Sequence, residues 1–387
     1  MMMKIQKNSM LNIFFLLLII FSAASSYAQK NDLDVAGSFE YSPVEGLEEY
    51  YRSVNKAELF FINNEYDSAL SEYLKAFENK EYPFLIDEAR AKDIGFKFCY
   101  DSVLISRLLL HIRAITPAKR RSKDIINHII KKYHRKDSLF LRGLTIKLDS
   151  VSLVSTQKVS GVNKEIQSCI DTIAYWDQKT RTDKSYFHYR HERDSINLFQ
   201  LLELYQKFPD ITEQNASYLF YEKIANVLFH NHARFSLWYP VILKQVMSGN
   251  FYNRTFVDVL TDYYRDIKND PDVFGFYQGN QLFTKYLLIL LDEKQEAIVN
   301  KRREQFFLDP YLIAEKKKIW RFFYTKDSNN LFYMYPNEFL FPLPEYIENE
   351  EERNRFLKEQ EQMIDKYKRD SGERVKVYSK YEKEDID

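Results

Sequence analysis

Nine glycines and ten prolines are all the chain-breaking residues that 387 positions contain. Glycine supplies the positive-φ corners of tight turns and proline presets the first of them. A chain this poor in both cannot be assembled from many short hairpins. Its connections must be few, which favours helices joined by short links. From Gly46 onward apolar residues recur at helical spacing. The expected fold class is therefore mostly α: short helical hairpins packed on a second helical domain, with one small β-hairpin near 319–335. The 29 Tyr, 30 Phe and 3 Trp suffice to fill a large helical core, and they are read as core rather than as an aromatic binding surface.

The first 28 residues predict export. "MMMKIQKNSM" carries Lys4 and Lys7 and no acid, and Leu11 to Phe21 form an apolar run of signal-peptide length, short for a membrane span. Ser26 and Ala28 then put small residues before a cut, so the mature chain is expected to begin at Gln29 and to reside in the periplasm or outside the cell. No cysteine lies at the cut to carry a lipid anchor, and an uncleaved anchor is the weaker alternative. Lys+Arg and Asp+Glu are 56 each, so losing Lys4 and Lys7 leaves 54 minus 56, a net charge of −2. That balance gives no electrostatic case for nucleic acid. No later stretch is apolar enough to span a membrane, "YLLILLDE" at Tyr286 to Glu293 being far too short. The expected partner is a protein or peptide, and no cofactor is implied.

Residues 29–45 read as a polar linker and 46–154 as a helical region. "KAELFFINNEYDSALSEYLKAFENKEYP" resembles one tetratricopeptide repeat, through Ala57, Phe60, Tyr66, Ala69, Tyr73 and Ala76, with Pro83 near the repeat end. Small Ala57 and Ala69 let two antiparallel helices approach, aromatic rings fill the groove, and "NNEYD" makes the turn. The resemblance implies peptide or protein binding. A single repeat cannot bury its own face, so neighbours must stack on it; "LIDEARAKDIGFKFCYDSVLISRLLLHIRAI", "KDIINHIIKKYH" and "SLFLRGLTIKL" are read as those neighbours.

"STQKVSGVN", Ser155 to Asn163, is polar and contains a glycine, and marks the internal boundary of a second helical domain over 163–345. Helices are expected over about 163–181, 186–207, 213–231, 236–248, 253–267 and 281–305, with Pro209, Pro240, Pro271 and Pro310 at or near their ends. "KDSNN" between two aromatic runs reads as the turn of the β-hairpin. Residues 346–387 read as a charged helix with a thin seam at Phe356, Met363 and Tyr367, followed by fifteen disordered residues.

One stretch, "YWDQKTRTDKSYFHYRHERDS" at Tyr175 to Ser195, concentrates the chemistry. On a wheel of about 100° per residue Ile166, Ile170 and Ile173 share one face, and Asp177, eleven residues after Ile166, falls roughly 20° from it. Asp177 is thus expected on the apolar face, where a carboxylate needs a partner; Arg181, four residues on, can supply it. Gln178 lies to one side. The alternatives are a helix-end ion pair and a binding site. His188 and His191 are expected on a solvated face, near Glu192 and Asp194, and His230 at the edge of the stripe Phe220, Ile224 and Val227. No H-E-x-x-H or Cys/His spacing points to a metal. Cys99 and Cys169 are either separate buried thiols or, in an oxidising compartment, a disulfide.

"DQKTR", "RDSINLFQLLELYQKFP", "NHA", "GNFYNRTFVDVLTDYY" and "VNKRREQFFLDPYLIAEK" occur in that order over residues 174 to 316. Together they resemble an uncharacterised bacterial domain family marked by D-Q-x-x-R, D-x-x-N, Q-H-A, a glycine before an Asp-Arg pair, Y-G-T-Q and R-R. The resemblance falls on Asp177, Gln178, Arg181, Asp194, Asn197, His232, Gly249, Asp262, Tyr277 and Arg303. Asn231 stands where the family has Gln, Tyr263 where it has Arg, and "YQGN" scrambles Y-G-T-Q. Members carry no assigned activity to transfer. The leading expectation is a binding or scaffolding module. The first rival is an enzyme, hydrolytic in one version, with Asp177, Arg181, His232 and Asp262 around one pocket and histidine as general base; Gln178, Asp194, Asn197, Tyr277 and Arg303 are the candidate binding residues. The second is a structural subunit of an envelope assembly.

Overall fold

The computed structural model describes residues 41–80, 83–115, 122–133, 163–216, 220–270, 273–276, 279–282, 285–324 and 349–379. The signal segment with Ala28 and Gln29, the boundary at 155–162, "SLFLRGLTIKL" and Tyr277 all lie outside the described residues.

Two helical hairpins open the fold: α1 (Leu47–Ile62) with α2 (Tyr66–Glu78), then α3 (Leu85–Lys97) with α4 (Ser102–Ile115), followed by α5 (Ser122–Tyr133). Asn64 takes the left-handed conformation, φ 63°, between α1 and α2, where asparagine is tolerated best among non-glycine residues. Gly46, φ 81°, starts α1 where an added Cβ would sit 2.6 Å from the Asn79 carbonyl oxygen. The close packing is visible at Gly95: a Cβ there would meet Leu108 Cδ2 at 2.5 Å and Leu70 Cδ2 at 3.2 Å, which locks α3 against both α2 and α4. Ala57, Ala69 and Ala76 have no exposed surface. Ala69→Leu should accordingly overpack the α1–α2 hairpin and lower stability by about 1–3 kcal/mol. An unchanged urea midpoint would show that Ala69 is not pressed between helices.

The second half contributes α6 (Lys164–Thr182), α7 (Arg190–Lys207), α8 (Phe220–Phe229), α9 (Phe235–Met247) and α10 (Asn253–Tyr263). A six-residue 3₁₀ turn, Lys184–Tyr189, joins α6 to α7, and one wide turn, Tyr264–Lys268, ends α10. Asn163 caps α6 by accepting from the Glu165 and Ile166 amides. Two expectations shift here. Residues 213–215 are a turn, so the helix expected from 213 is described only from Phe220. Pro240 lies inside α9 rather than at an end.

The fold is mostly helical with a small antiparallel sheet, as composition predicts, but the sheet sits elsewhere than expected. Its order is β1 (Gly279–Leu282), β2 (Lys285–Ile289), β3 (Val375–Ser379). Gly279 pairs with Leu288 and Ile289 with Val375. The helix expected over 281–305 is therefore only α11 (Glu293–Glu304), begun by a capping box between Asp292 and Gln295. The hairpin expected near 319–335 is corrected as well: α12 (Tyr311–Tyr324) continues as helix through its first residues, and 325–335 lie outside the described residues. The last fifteen residues are not wholly disordered, since β3 occupies 375–379. The sheet is covered on both sides. Leu288 packs with Val299, Tyr311 and Ile319, while Leu287 packs with Ile364 of α13 (Glu350–Ser371). Burial on both faces explains the unbroken apolar run at Tyr286 to Leu291. The side chains of Phe356, Met363 and Tyr367, the expected seam of α13, lie outside the described residues.

One hydrophobic core runs from Leu47 to Leu308 and includes both helical regions. Tyr51 and Phe84 of the first hairpins meet Tyr252 of the second half, and Phe84 also meets Tyr221. The two regions are thus joined by an aromatic interior. No disulfide links Cys99 and Cys169, and Cys99 is buried with its thiol donating to the Tyr66 carbonyl.

Candidate functional site

Asp177 lies where the helical wheel put it. It is 1% exposed, on the face of α6 formed by Ile166, Ile170, Ile173 and Thr180. Its Oδ1 accepts from Arg181 Nη1 at 3.1 Å and lies 2.8 Å from His230 Nδ1, and its Oδ2 accepts from Gln178 Nε2 at 3.1 Å. Arg181 reaches on to Asp194 Oδ1 of α7 at 2.7 Å. Asn231 braces the same corner, donating to the carbonyls of Asp194 and Val227. Asn197, one turn from Asp194, is fully buried, and neither amide atom has a hydrogen-bond partner. His230, expected only as a core-edge residue, is the member sequence reasoning underrated.

Asp177, Asp194 and His230 each place one ligand atom within 4.8 Å of the others, a spacing a divalent cation could bridge. The Arg181 guanidinium already joins the two carboxylates, so a metal would have to displace it. Two anions around one arginine, closed by a histidine, is the pattern of a charge-compensated helix junction.

His232 and Asp262 do not join Asp177. His232 Nδ1 lies 3.6 Å from Asp266 Oδ2, Arg265 Nη1 lies 2.5 Å from Asp262 Oδ1, and Arg265 also holds Asp266. Burial pushes the His232 imidazole below its ordinary value, with Arg265 and His230 adding to the shift and Asp266 opposing it. The four residues of the enzyme hypothesis thus divide between two clusters. His188 and His191 are exposed. Gly249 has φ 70° just beyond α9.

The most heavily built polar centre was not anticipated. Glu58 of α1 has no exposed surface. Its two oxygens accept from Arg254 Nη1 at 2.6 Å, Arg254 Nη2 at 2.7 Å, Arg90 Nη1 at 2.8 Å and Lys317 Nζ at 2.8 Å. Arg90 also reaches Asp87 Oδ1 at 3.2 Å, and Lys317 reaches Asp309 Oδ2 at 2.7 Å. Tyr50 donates to Asp87 Oδ2 at 2.7 Å. Three carboxylates face three cations, so the centre is balanced. Burial alone would raise the Glu58 carboxyl, but Arg254, Lys317 and Arg90 outweigh it and hold it well below the usual range. Asp87, less fully compensated, is pushed up by burial despite Arg90, Arg254 and Tyr50. One turn along α10 from Arg254, Asp258 is pushed up strongly by burial and by Asp262.

A cleft of about 800 Å³ lies between the start of α1 and the turn joining α11 to α12, and of the six charged groups of the Glu58 centre Asp309 alone lines it. The amides of Asn55, Asn300 and Gln305 and the apolar groups of Tyr41, Met247 and Leu308 line it, with the charged groups of Glu48, Arg52, Lys301, Glu304 and Asp309 also in its wall. The turn wall is held from behind. Asn253 donates to the Phe306 carbonyl at 2.6 Å, Asn55 to the Phe307 carbonyl at 2.8 Å, and Arg303 to the carbonyls of Asp309 at 2.6 Å and Phe274 at 2.8 Å. Arg303, expected to bind ligand, is therefore a buried clamp. Phe307 adopts φ 58°, a left-handed conformation unfavourable for a bulky residue, and stacks on Tyr51 at 5.3 Å.

Comparison with protein-family models, with curated proteins and with solved structures gives no match. Among the described residues, no helix is long and apolar enough to cross a membrane.

Proposed function

We propose that this chain is an exported binding or scaffolding module that takes a protein segment or peptide in the cleft between α1 and the α11–α12 turn. The observation that carries the proposal is the cleft itself: about 800 Å³, lined by charged, amide and apolar groups, with a wall anchored from the core by Asn253, Arg303 and Lys317. Such a lining suits an extended peptide, whose backbone needs polar partners and whose side chains need apolar and charged contacts. A wall fixed before binding loses little freedom when the ligand arrives. The strained Phe307 fits the same view, since strained backbone concentrates where a surface is pre-shaped. The tetratricopeptide-like pattern of the first hairpin and the leader around Lys4 and Leu11 to Phe21 support the class and the location. Against the enzyme alternative stands the division of Asp177 and Arg181 from His232 and Asp262.

Ala297, exposed on α11, lines the cleft. Ala297→Trp should fill it and leave the fold intact. Peptides selected from a random displayed library on the native protein are expected to lose at least ten-fold in affinity for Ala297→Trp at unchanged melting temperature. Selected peptides that bind both proteins equally, or a library that yields none, would refute the cleft.

A further inference from the structure

The connection between α6 and α7 departs from the expectation that the aromatic residues are core. Phe187 and Tyr189 in the connection, and Tyr175 in the last two turns of α6 before it, are 48%, 47% and 55% exposed. They surround a second layer in which rings hold cations. Lys179 Nζ donates to Tyr175 Oη at 2.9 Å and lies 4.6 Å from the centre of the Tyr186 ring, while the Arg193 guanidinium lies 4.3 Å over Trp176. Tyr186 meets Trp176 edge-on at 6.0 Å, and Tyr189 packs on His188 at 3.9 Å.

The solvent-accessible charge on this surface is basic, with four cations against two acids. Lys179, Lys184, Arg190 and Arg193 reach solvent, against Asp183 and Glu192. The remaining acids of the stretch, Asp177 and Asp194, are buried and share Arg181, leaving one negative charge beside His230. Asp183 is also engaged, accepting from the amide and hydroxyl of Ser185.

We propose that this aromatic, basic connection docks the protein on an anionic lipid surface. Three features select that partner. A sugar would stack on a platform of uncovered rings; Lys179 lies over Tyr175 and Tyr186, Arg193 over Trp176, and Tyr189 packs on His188, which leaves Phe187 by itself. An extended peptide would need walls, and Phe187 and Tyr189 stand on the connection between two helices, while Tyr175 edges only an open hollow along one face of α6. A lipid interface needs neither: it takes Tyr and Trp at headgroup depth, admits a Phe ring below them, and attracts ammonium and guanidinium groups to its phosphates. The attachment is peripheral, in keeping with the absence of a spanning helix among the described residues. It is independent of the peptide cleft, which involves other elements.

The test uses the chain from Gln29 onward, so that the apolar leader does not contribute. Co-sedimentation with phosphatidylglycerol–phosphatidylcholine vesicles should exceed that with pure phosphatidylcholine at least ten-fold and weaken as salt rises. Lys184→Gln with Arg190→Gln should lower the affinity roughly 25-fold, at about five-fold per cation. Phe187→Ser with Tyr189→Ser should lower it at least ten-fold. All four side chains are exposed, so melting temperatures should stay unchanged. Equal binding to both vesicle types, no binding by the native sequence, or no loss in the two double variants would overturn the proposal. So would binding to poly-glutamate and not to vesicles, which would assign the surface to an acidic polypeptide.

Discussion

Glu58→Gln lowers the unfolding free energy by about 3–5 kcal/mol, the expected cost of breaking a buried ion pair by removing one partner. The side chain is fully buried, so solvent does not screen the loss. Glutamine keeps the shape and one carbonyl oxygen but strands Arg90, Arg254 and Lys317 beside only Asp87 and Asp309. The check is urea denaturation at pH 7, with Lys317→Met as a second substitution. Removing one stranded cation should restore part of the loss, so the double variant should be more stable than the sum of the singles predicts. The pH dependence has a definite sign. Glu58 is held well below its unfolded value of about 4.3. Its contribution is therefore complete above about pH 4.3 and is lost as pH falls below that, toward the folded value. The native protein should lose stability along that limb, and Glu58→Gln should lack that share of the slope. The substitution should also weaken ligand in the cleft, because Lys317 links Glu58 to Asp309 and to the Asn55 carbonyl. A variant as stable as the native chain would show that the six charges do not act as one centre.

The wheel that located Asp177 also applies to this centre. On α1, Glu58 falls among Val54, Phe61 and Ile62, and on α3, Asp87 and Arg90 fall beside Ala91 and Ile94. Along α10, Arg254, Asp258 and Asp262 recur every four residues and share a face. Each is a charge on a buried stripe, legible in one helix at a time. What a single helix does not contain is the partner. Glu58 and Arg254 lie 196 residues apart, and nothing local pairs them. The helix–helix contacts inside one hairpin were legible for the opposite reason, because Ala57 and Ala69 are close in sequence and small for a steric cause. The sheet was misplaced because a short apolar run buried on both faces has neither period 2 nor period 3.6. "KYLLI" looks like helix until Asp292 and Gln295 are recognised as the start of one. The cleft was invisible because its walls come from the start of α1 and the α11–α12 turn, which meet only through the fold.

Asp177→Asn separates a junction from a site. Its carboxylate takes hydrogen bonds from Arg181 and Gln178 and meets His230, and Arg181 passes the link to Asp194. Asparagine offers one acceptor oxygen in place of two and sets an amide against donors. Arg181 and His230 are partly exposed, at 18% and 29% of their side chains, so water recovers some of what is lost. The expected destabilisation is about 1.5–3 kcal/mol, the range for hydrogen bonds to charged groups and below that for Glu58. Glu192→Gln, on the exposed face of α7, should change stability by less than about 0.5 kcal/mol. The comparison with His232→Ala then tests function. If Asp177, Arg181, Asp194 and His230 only lock α6 to α7 and α8, Asp177→Asn lowers the denaturation midpoint while peptides selected on the cleft still raise the melting temperature of His232→Ala as they do that of the native protein. If His232→Ala keeps its native stability but loses that ligand-induced shift, the ligand sits at the histidines and the cleft assignment falls. If Asp177→Asn is as stable as the native chain, the buried pairing on α6 does not lock α6 to α7.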